Sequence, residues 1–491
     1  MQKLSVVRLA YVTGIILLFV TLFYRALVFQ FDADELQNAQ KIYLISTGYI
    51  PYRDFFSVYP ALLHLFFVPV FRIIGFTFAA ITAARTVMFL LYLGTVWLLY
   101  RFVSRVFTPL VAAIWIFLYG IEPFTQFASW QLRVDNPMMT LFAGGLLASW
   151  YGLNGNRRVL FLAGFLWSLS VLVGIKIAPL VVWFGIGEAA WLFWHKKPYR
   201  IIPFAAGVFI PVAVCTGILM YYHAFPQAIR QIFFDGPLTN ATRMYPPILV
   251  RWFEPRMYEF FGGNGRTVSW FIANIMPFLG AMGFLFLMSF VKLKSIMVSE
   301  KTYMRMLLVV SFFIGWVYLF HIHAVFVHYF LVTSWISTLG GAYVLWFILR
   351  KSAKHRIVMQ IIWAAASALF VIGVYGGVRA NMVASSYSTK ETVAMYRQYW
   401  SVIPKGAFVF PGMLFRPPGH FIPYGYFYPE LPDSIRSRYP SIPETLKGNR
   451  VSYVIANTYF LGLLDGKSAK AITSNFHPVS PDSDIWIRNG K

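Results

Sequence analysis

The chain of 491 residues is 58% hydrophobic and 19% aromatic but only 12% charged, whereas an ordinary soluble protein has roughly a quarter charged residues. This composition excludes a soluble protein and indicates an integral membrane protein. The net charge of +24 does not indicate nucleic-acid binding, because the basic residues form short clusters between apolar runs. The single cysteine, Cys215, excludes an intrachain disulfide and a cysteine-based zinc site.

Apolar runs long enough to cross a bilayer recur along most of the chain. Requiring roughly 20 apolar residues per span predicts about eleven transmembrane helices. The basic clusters, such as HKKPYR and LRKSAKHR, fall in alternate loops on the side of the N-terminus. The positive-inside rule therefore predicts a cytoplasmic N-terminus and an opposite, outer side that carries the C-terminus. The predicted spans are residues 9–29, 78–101, 107–124, 134–152, 159–175, 177–194, 201–222, 269–291, 305–320, 330–349 and 357–378.

Three outer segments are longer than simple turns. Residues 30–77 contain the run PALLHLFFVPVFRIIG, which is too short to span and predicts an interfacial helix. Residues 223–268 form a long polar loop, and such loops tend to be functional. From 380 to 491, short β-like runs such as GAFVF and VSYVIAN appear between turn signals. We therefore predict a transmembrane domain, 1–379, and a small soluble α/β domain, 380–491.

Acidic residues stand where the first span ends, in FQFDADELQN, residues 30–39. Asp34 and Glu35 would diverge by about 100° on a helix, so their carboxylates are expected to have different roles. One is a candidate general base, and the other is a candidate partner for a cation. The alternative is that both are solvated residues at a helix terminus.

Other polar and ionisable residues lie in the outer loops or in spans. Ionisable groups at membrane depth are costly and rare, so each is a functional candidate. For Arg85, inside the second span, the alternative is a side chain that snorkels toward the headgroups. For Lys176, at an outer turn, we favour a functional role, because the predicted cations flank a surface that also carries the acidic residues. The set comprises Tyr52, Arg53, Asp54, Arg85, Arg133, Asp135 and Lys176.

The order of these motifs resembles the membrane glycosyltransferases of the GT-C superfamily. The first span is followed by DADELQNAQ, then by GYIPYRDFF, YPALLHLFFVPVFRIIG and AAR. LRVDNP resembles an Arg-x-Asp element of the next outer loop, and VGIKIAP resembles a Lys that follows the fifth span. HYFLVTSW, residues 328–335, resembles a His-Tyr segment, although its terminal proline is missing. The branch in question contains lipid A aminoarabinose transferases, protein O-mannosyltransferases and lipopolysaccharide galacturonosyltransferases.

The resemblance implies a polytopic α-helical GT-C fold and an inverting transfer of a sugar from a polyprenyl-phosphate donor to a hydroxyl on an outer-side acceptor. Asp34 would be the base, and Glu35 would pair with Arg133. Lys176, Arg85, Arg53 and His328 would lie at the donor phosphate, with Tyr52, Asp54, Asp135 and Tyr329 completing the substrate site. There Asp54 and Asp135 would either pair with their neighbouring arginines or help to bind a cation. A phosphate leaving group needs no proton, so one base and several cations should suffice.

Several alternatives stay open at this stage. His321, His323 and His328 are spaced as a metal cluster could be, and some relatives use a divalent metal while others do not. A lipid-linked saccharide flippase or a non-catalytic envelope-glycan assembly subunit would also need many spans. The sequence shows no repeated halves of the kind found in many transporters. The expected partners are the lipid-linked donor, a glycan, lipid or protein acceptor, and membrane lipids, and the expected location is a bacterial inner membrane.

Overall fold

The computed structural model describes residues 2–490 apart from 154, 239–264, 291–295, 297, 322–326, 353–355, 386–387, 405–406, 411–431, 439, 449–450, 457–460, 463 and 482. Most of the described chain is helical. In chain order the helices are α1 (Gln2–Val28), α2 (Ala33–Ser46), α3 (Leu62–Ile74), α4 (Phe78–Val106), α5 (Pro109–Ile121), α6 (Pro123–Ala128), α7 (Asp135–Leu153), α8 (Arg157–Val173), α9 (Ala178–Trp194), α10 (Ile201–Tyr221), α11 (Phe225–Arg230), α12 (Gly265–Ser289), α13 (Glu300–His321), α14 (Leu331–Ser352), α15 (Arg356–Ala384), α16 (Thr389–Val402), α17 (Asp433–Arg436), α18 (Ile442–Gly448) and α19 (Gly466–Asn475).

Each predicted span corresponds to one of these helices. Within the described residues, eight helical stretches are long and apolar enough to cross a membrane. The other three predicted spans are α5, α7 and α8, with 13, 19 and 17 residues. The protein is a multi-pass membrane protein.

The described chain forms two compact units, neither of which is continuous in sequence. The first comprises residues 1–29, 85–215 and 245–387, and the second comprises 30–84, 216–244 and 388–491. The second unit therefore groups residues of both long outer loops with the C-terminal segment. Helix α15 continues past residue 379 to Ala384, and the division into 1–379 and 380–491 stays a prediction.

In the first unit, helices α12 and α14 approach each other through glycines. A Cβ atom added to Gly283 would lie 2.0 Å from the carbonyl oxygen of Gly340, and one added to Gly340 would lie 2.4 Å from the carbonyl oxygen of Gly280. Small residues let the backbones of membrane helices approach closely. Such close packing stabilises helix association in lipid, where no hydrophobic driving force favours it. This contact therefore fixes the register of the two helices.

In the second unit, helix α3 is apolar both on its buried face and on its exposed face. Leu63, Phe67 and Phe71 are buried, whereas Phe66 is 57% and Ile73 is 84% exposed. A 13-residue helix with an exposed apolar face suits the membrane interface better than a span. The predicted interfacial helix in the first outer loop is confirmed.

The C-terminal segment contains a four-stranded sheet with strand order β1-β2-β4-β3. Strands β1 and β2 are parallel, and the other two pairs are antiparallel. The first two strands lie within the predicted runs GAFVF and VSYVIAN, so the small α/β element is confirmed. Its core includes Phe410, Ile442, Val454, Ile472 and Phe476. The strand bounds are β1 (Val409–Phe410), β2 (Tyr453–Ile455), β3 (Phe476–Pro478) and β4 (Ile485–Arg488).

The glycine contact yields a prediction about stability. Gly340→Val should lower the free energy of unfolding by about 1–3 kcal/mol, because the added side chain overpacks the crossing of α12 and α14. The matched control is Gly217→Val, since a Cβ at Gly217 in α10 meets nothing within 4 Å. Thermal unfolding in detergent measures both variants, and equal midpoints for the two would contradict the assigned contact.

Candidate functional site

The acidic stretch after the first span forms the start of helix α2. The Asp32 carboxylate accepts a hydrogen bond from the backbone N–H of Asp34 at 2.9 Å, and the Asp32 backbone N–H donates to Glu35 Oε2 at 3.0 Å. This reciprocal pair is a capping box, which satisfies backbone donors that a helix N-terminus leaves without partners. Asp32 and Glu35 therefore hold the end of the helix in place.

Asp34 and Glu35 occupy different environments, as their angular separation predicts. Glu35 is fully buried and shares in the capping box. Asp34 is half-buried, on another face of the helix. The structure thus separates the two carboxylates, and the roles of Asp34 as a base and of Glu35 as a positioning residue stay predictions. The predicted pairing of Glu35 with Arg133 stays a prediction.

The loop around Tyr52 brings Tyr52, Arg53 and Asp54 together. Arg53 Nε and Nη2 donate to the two Asp54 carboxylate oxygens at 2.8 and 2.9 Å, and Asp54 Oδ2 also accepts from the Ile50 backbone N–H at 2.7 Å. The hydrogen bond from Arg53 holds the pKa of Asp54 below its usual value. Arg53 remains 43% exposed, so its guanidinium can reach a ligand while Asp54 orients it.

Tyr52 has a backbone conformation that is rare for a residue with a side chain. Its φ is 68°, in the left-handed region that costs about 1–2 kcal/mol for such residues. The Gln231 side chain stabilises this turn from the second outer segment. Its Nε2 donates to the Tyr52 carbonyl at 2.9 Å, and its Oε1 accepts from the Ser57 backbone N–H at 2.9 Å. A single buried amide thus connects the two outer segments.

The same second segment also contacts the C-terminal part of the chain. Asp235, which ends the π-helix Gln231–Asp235, is 3% exposed. Its Oδ1 accepts from Arg438 Nη1 at 2.8 Å, and its Oδ2 lies 3.6 Å from Arg230 Nε. Two cations satisfy this buried carboxylate, so Arg438 fastens the C-terminal segment to residues 230–235 within the second unit.

In the first unit, four of the predicted site residues converge. Asp135, fully buried at the start of α7, lies 3.6 Å from Arg133 Nε and forms an ion pair with Lys176. The Lys176 ammonium lies 4.8 Å from the centre of the Tyr329 ring. One carboxylate therefore holds two cations close together. Such a cluster suits an anionic ligand.

Arg85 does not snorkel, because it is fully buried. Its Nη1 donates to the carbonyls of Ala26 and Phe29 at 3.2 and 2.6 Å, where a cation complements the C-terminal end of α1. Its guanidinium also lies 4.6 Å from the Trp130 ring centre, and that of Arg25 lies 5.9 Å from it. Arg85 thus has a structural role here, and its contact with a donor phosphate stays a prediction.

Two predictions concern histidines and metal. The side chains of His323 and His328 lie outside the described residues, so the suggested cluster with His321 stays a prediction. Among the residues that the structure describes, no group of three or more His, Cys, Asp or Glu side chains could hold a metal ion. A divalent metal therefore stays one of the alternatives drawn from the sequence.

Three residues that the structure singles out were not among the predicted site residues, namely Arg25, Lys41 and Gln231. Arg25 gave a signal, because it interrupts the first apolar run. Lys41 also gave one, because it is seven residues after Asp34 and so shares a helical face with it. Gln231 gave none, since only the folded chain brings it to Tyr52.

The Gln231 contact yields a prediction about the order of the Tyr52 loop. Gln231→Leu should raise the hydrogen-exchange rates of the amides of residues 50–59 about tenfold or more, because it removes two buried hydrogen bonds worth about 1 kcal/mol each. Gln227→Leu is the matched control, since Gln227 is exposed. Unchanged exchange rates in Gln231→Leu would contradict the stabilisation of the Tyr52 loop by the two Gln231 hydrogen bonds.

No protein-family model and no curated protein matches the sequence. Among solved structures, ArnT from Cupriavidus metallidurans in the apo state matches with a TM-score of 0.62 at 11% identity, over 99% of this chain and 98% of that chain. ArnT bound to undecaprenyl phosphate matches with a TM-score of 0.58 at 12% identity, over the same shares. The oligosaccharyltransferase of Archaeoglobus fulgidus matches with a TM-score of 0.47 at 11% identity, over 96% of this chain and 73% of that one. ArnT is the lipid A aminoarabinose transferase. The chain has the fold of that structure, which confirms the predicted polytopic α-helical architecture with a small C-terminal α/β element.

Proposed function

We propose that the protein is an inverting glycosyltransferase that moves a sugar from a polyprenyl-phosphate donor to a hydroxyl of an extracytoplasmic glycan, lipid or protein. The observation that carries the proposal is the match to ArnT over nearly the whole of both chains, including a structure that holds undecaprenyl phosphate. Within that fold, the half-buried Asp34 comes directly after the first span.

The reaction needs one base and a stabilised leaving group. The acceptor hydroxyl oxygen attacks the anomeric carbon, and its proton passes to the Asp34 carboxylate. The bond between the anomeric carbon and the phosphate oxygen breaks, and its electron pair stays on the phosphate, which gains one negative charge. Because phosphate is a good leaving group without protonation, no general acid is required.

Cations supply the electrostatic stabilisation of the leaving group. Asp135 holds Lys176 and Arg133 close together, and Asp54 orients Arg53, whose side chain is 43% exposed. Groups fixed in advance toward developing negative charge are the most effective electrostatic catalysts. We assign Lys176, Arg133, Arg53, Arg85 and His328 to the donor phosphate, and Tyr52 and Tyr329 to the surrounding substrate site.

The direction of the chain in the membrane follows from its basic clusters. We place the N-terminus in the cytoplasm and the C-terminal segment on the periplasmic side of an inner membrane. The Asp34 end of α2 then faces the compartment in which lipid-linked sugars are used after they cross the membrane. The acceptor belongs to the cell envelope.

The first test compares sugar transfer by the parent protein and by Asp34→Asn. With a panel of labelled polyprenyl-phosphate sugars, the variant should transfer roughly 10²-fold more slowly or worse, because it lacks the proton acceptor. Its affinity for undecaprenyl phosphate should be unchanged. The matched control is Asp32→Asn, which makes the same chemical change two residues earlier, where Asn caps a helix as well as Asp does.

Two results would contradict the proposal. Full activity of the Asp34 variant would remove the base assignment. Failure of the parent to consume any donor in the panel, combined with movement of lipid-linked sugar across vesicle membranes, would favour the flippase.

A further inference from the structure

Helix α2 carries a buried lysine that the proposed reaction does not yet use. Lys41 is only 5% exposed, although lysine is almost never buried unless it is paired. Among the residues that the structure describes, no hydrogen bond or ion pair is formed by its ammonium group. A buried cation of this kind is costly in the free protein and becomes favourable when an anion binds.

Lys41 lies on the same face of α2 as the proposed base. Asp34, Asn38 and Lys41 are spaced by four and three residues, which places them in one row along the helix. The Cα atoms of Asp34 and Lys41 are about 10 Å apart along the axis. Helical side chains lean toward the N-terminus, so the lysine stem extends toward Asp34 and shortens the gap between the charged groups.

The groups next to Lys41 leave its ammonium group positively charged at neutral pH. His64 of α3 is buried, and its Nε2 lies 3.0 Å from Asn38 Oδ1. Burial first, and then the nearby Lys41, lower the pKa of His64 well below its usual value, so this ring is neutral at pH 7. Burial lowers the pKa of Lys41 to about 8, and Asp34 acts in the opposite direction. Lys41 is therefore protonated at neutral pH but loses its proton in mild alkali.

We propose that Lys41, about two helical turns along α2 from the base, binds the phosphate of the polyprenyl-phosphate donor. In a direct displacement the base, the acceptor oxygen, the anomeric carbon and the leaving oxygen form a row that spans about 7 Å. A base and a phosphate-binding residue that are separated along one rigid helix match the length of that row.

This inference rests on the proposed function, but it is tested by binding and not by transfer. The probe is farnesyl phosphate, a short polyprenyl phosphate, and the control ligand is farnesol, which has the same chain without the phosphate. Lys41→Met should weaken farnesyl phosphate binding about ten- to a hundredfold, the loss expected for a charge-assisted contact. Farnesol binding should not change. The control variant is Lys390→Met, because Lys390 is exposed on α16.

A pH series separates Lys41 from other groups. Lys41 faces Asp34 on its own helix and His64 on α3, and His64 stays neutral across the range. Between pH 8 and 9.5 the dissociation constant of farnesyl phosphate should therefore rise toward about tenfold per pH unit in the parent protein. Lys41→Arg should bind with little change over this range, because arginine does not lose its proton there.

The outcomes are distinguishable. Equal farnesyl phosphate binding by the parent and Lys41→Met would overturn the assignment, as would lowered turnover with unchanged binding, which would indicate action through Asp34 alone. Loss of both ligands would assign Lys41 to the fold, although removing a buried unpaired charge should leave the unfolding midpoint equal or higher. Inorganic phosphate or phosphatidylglycerol that competes as well as farnesyl phosphate would overturn the assignment to the donor. A parent that does not prefer farnesyl phosphate to farnesol would overturn both this inference and the proposed function.

Discussion

The burial of charged side chains in a mostly apolar protein is the constraint on which the other features depend. A charge removed from water is tolerated only where a partner or a ligand replaces its hydration. Asp135 meets this requirement by holding both Arg133 and Lys176, and Arg85 meets it through the last carbonyls of α1. The charges cluster at the ends of spans, where helix termini and neighbouring loops can supply such partners.

The acids at the start of α2 show how local structure separates two adjacent carboxylates. Asp32 and Glu35 are engaged with backbone donors, and this fixes the helix that also carries Asp34. On a rigid, capped helix, the proposed base Asp34 would keep its geometry. The Tyr52 loop is held differently, because its left-handed residue depends on the Gln231 amide from another segment. The conformation of this region therefore depends on contacts between parts of the chain far apart in sequence.

The sequence was sufficient for features that follow from local patterns. The apolar runs predicted the eight described helices that are long and apolar enough to cross a membrane. The short run around Leu63 and Phe67 predicted the interfacial helix. The elements LRVDNP and VGIKIAP predicted the residues that meet at Asp135. The hydrogen bonds of Gln231 to the Tyr52 loop and the ion pair of Asp235 with Arg438 were not predictable, because they join segments separated by 174 and 203 residues. The buried state of Lys41 was also hidden, since a helical pattern shows which face a residue shares but not what covers it.

The proposed reaction is a single displacement at a sugar carried by a polyprenyl phosphate, with Asp34 as the base. The anomeric configuration of the product, determined by nuclear magnetic resonance with a donor of defined configuration, is the first measurement to make. A single displacement gives every transferred sugar the configuration opposite to that of the donor. Retention of configuration would require two successive displacements through a covalent intermediate and would contradict the proposed reaction.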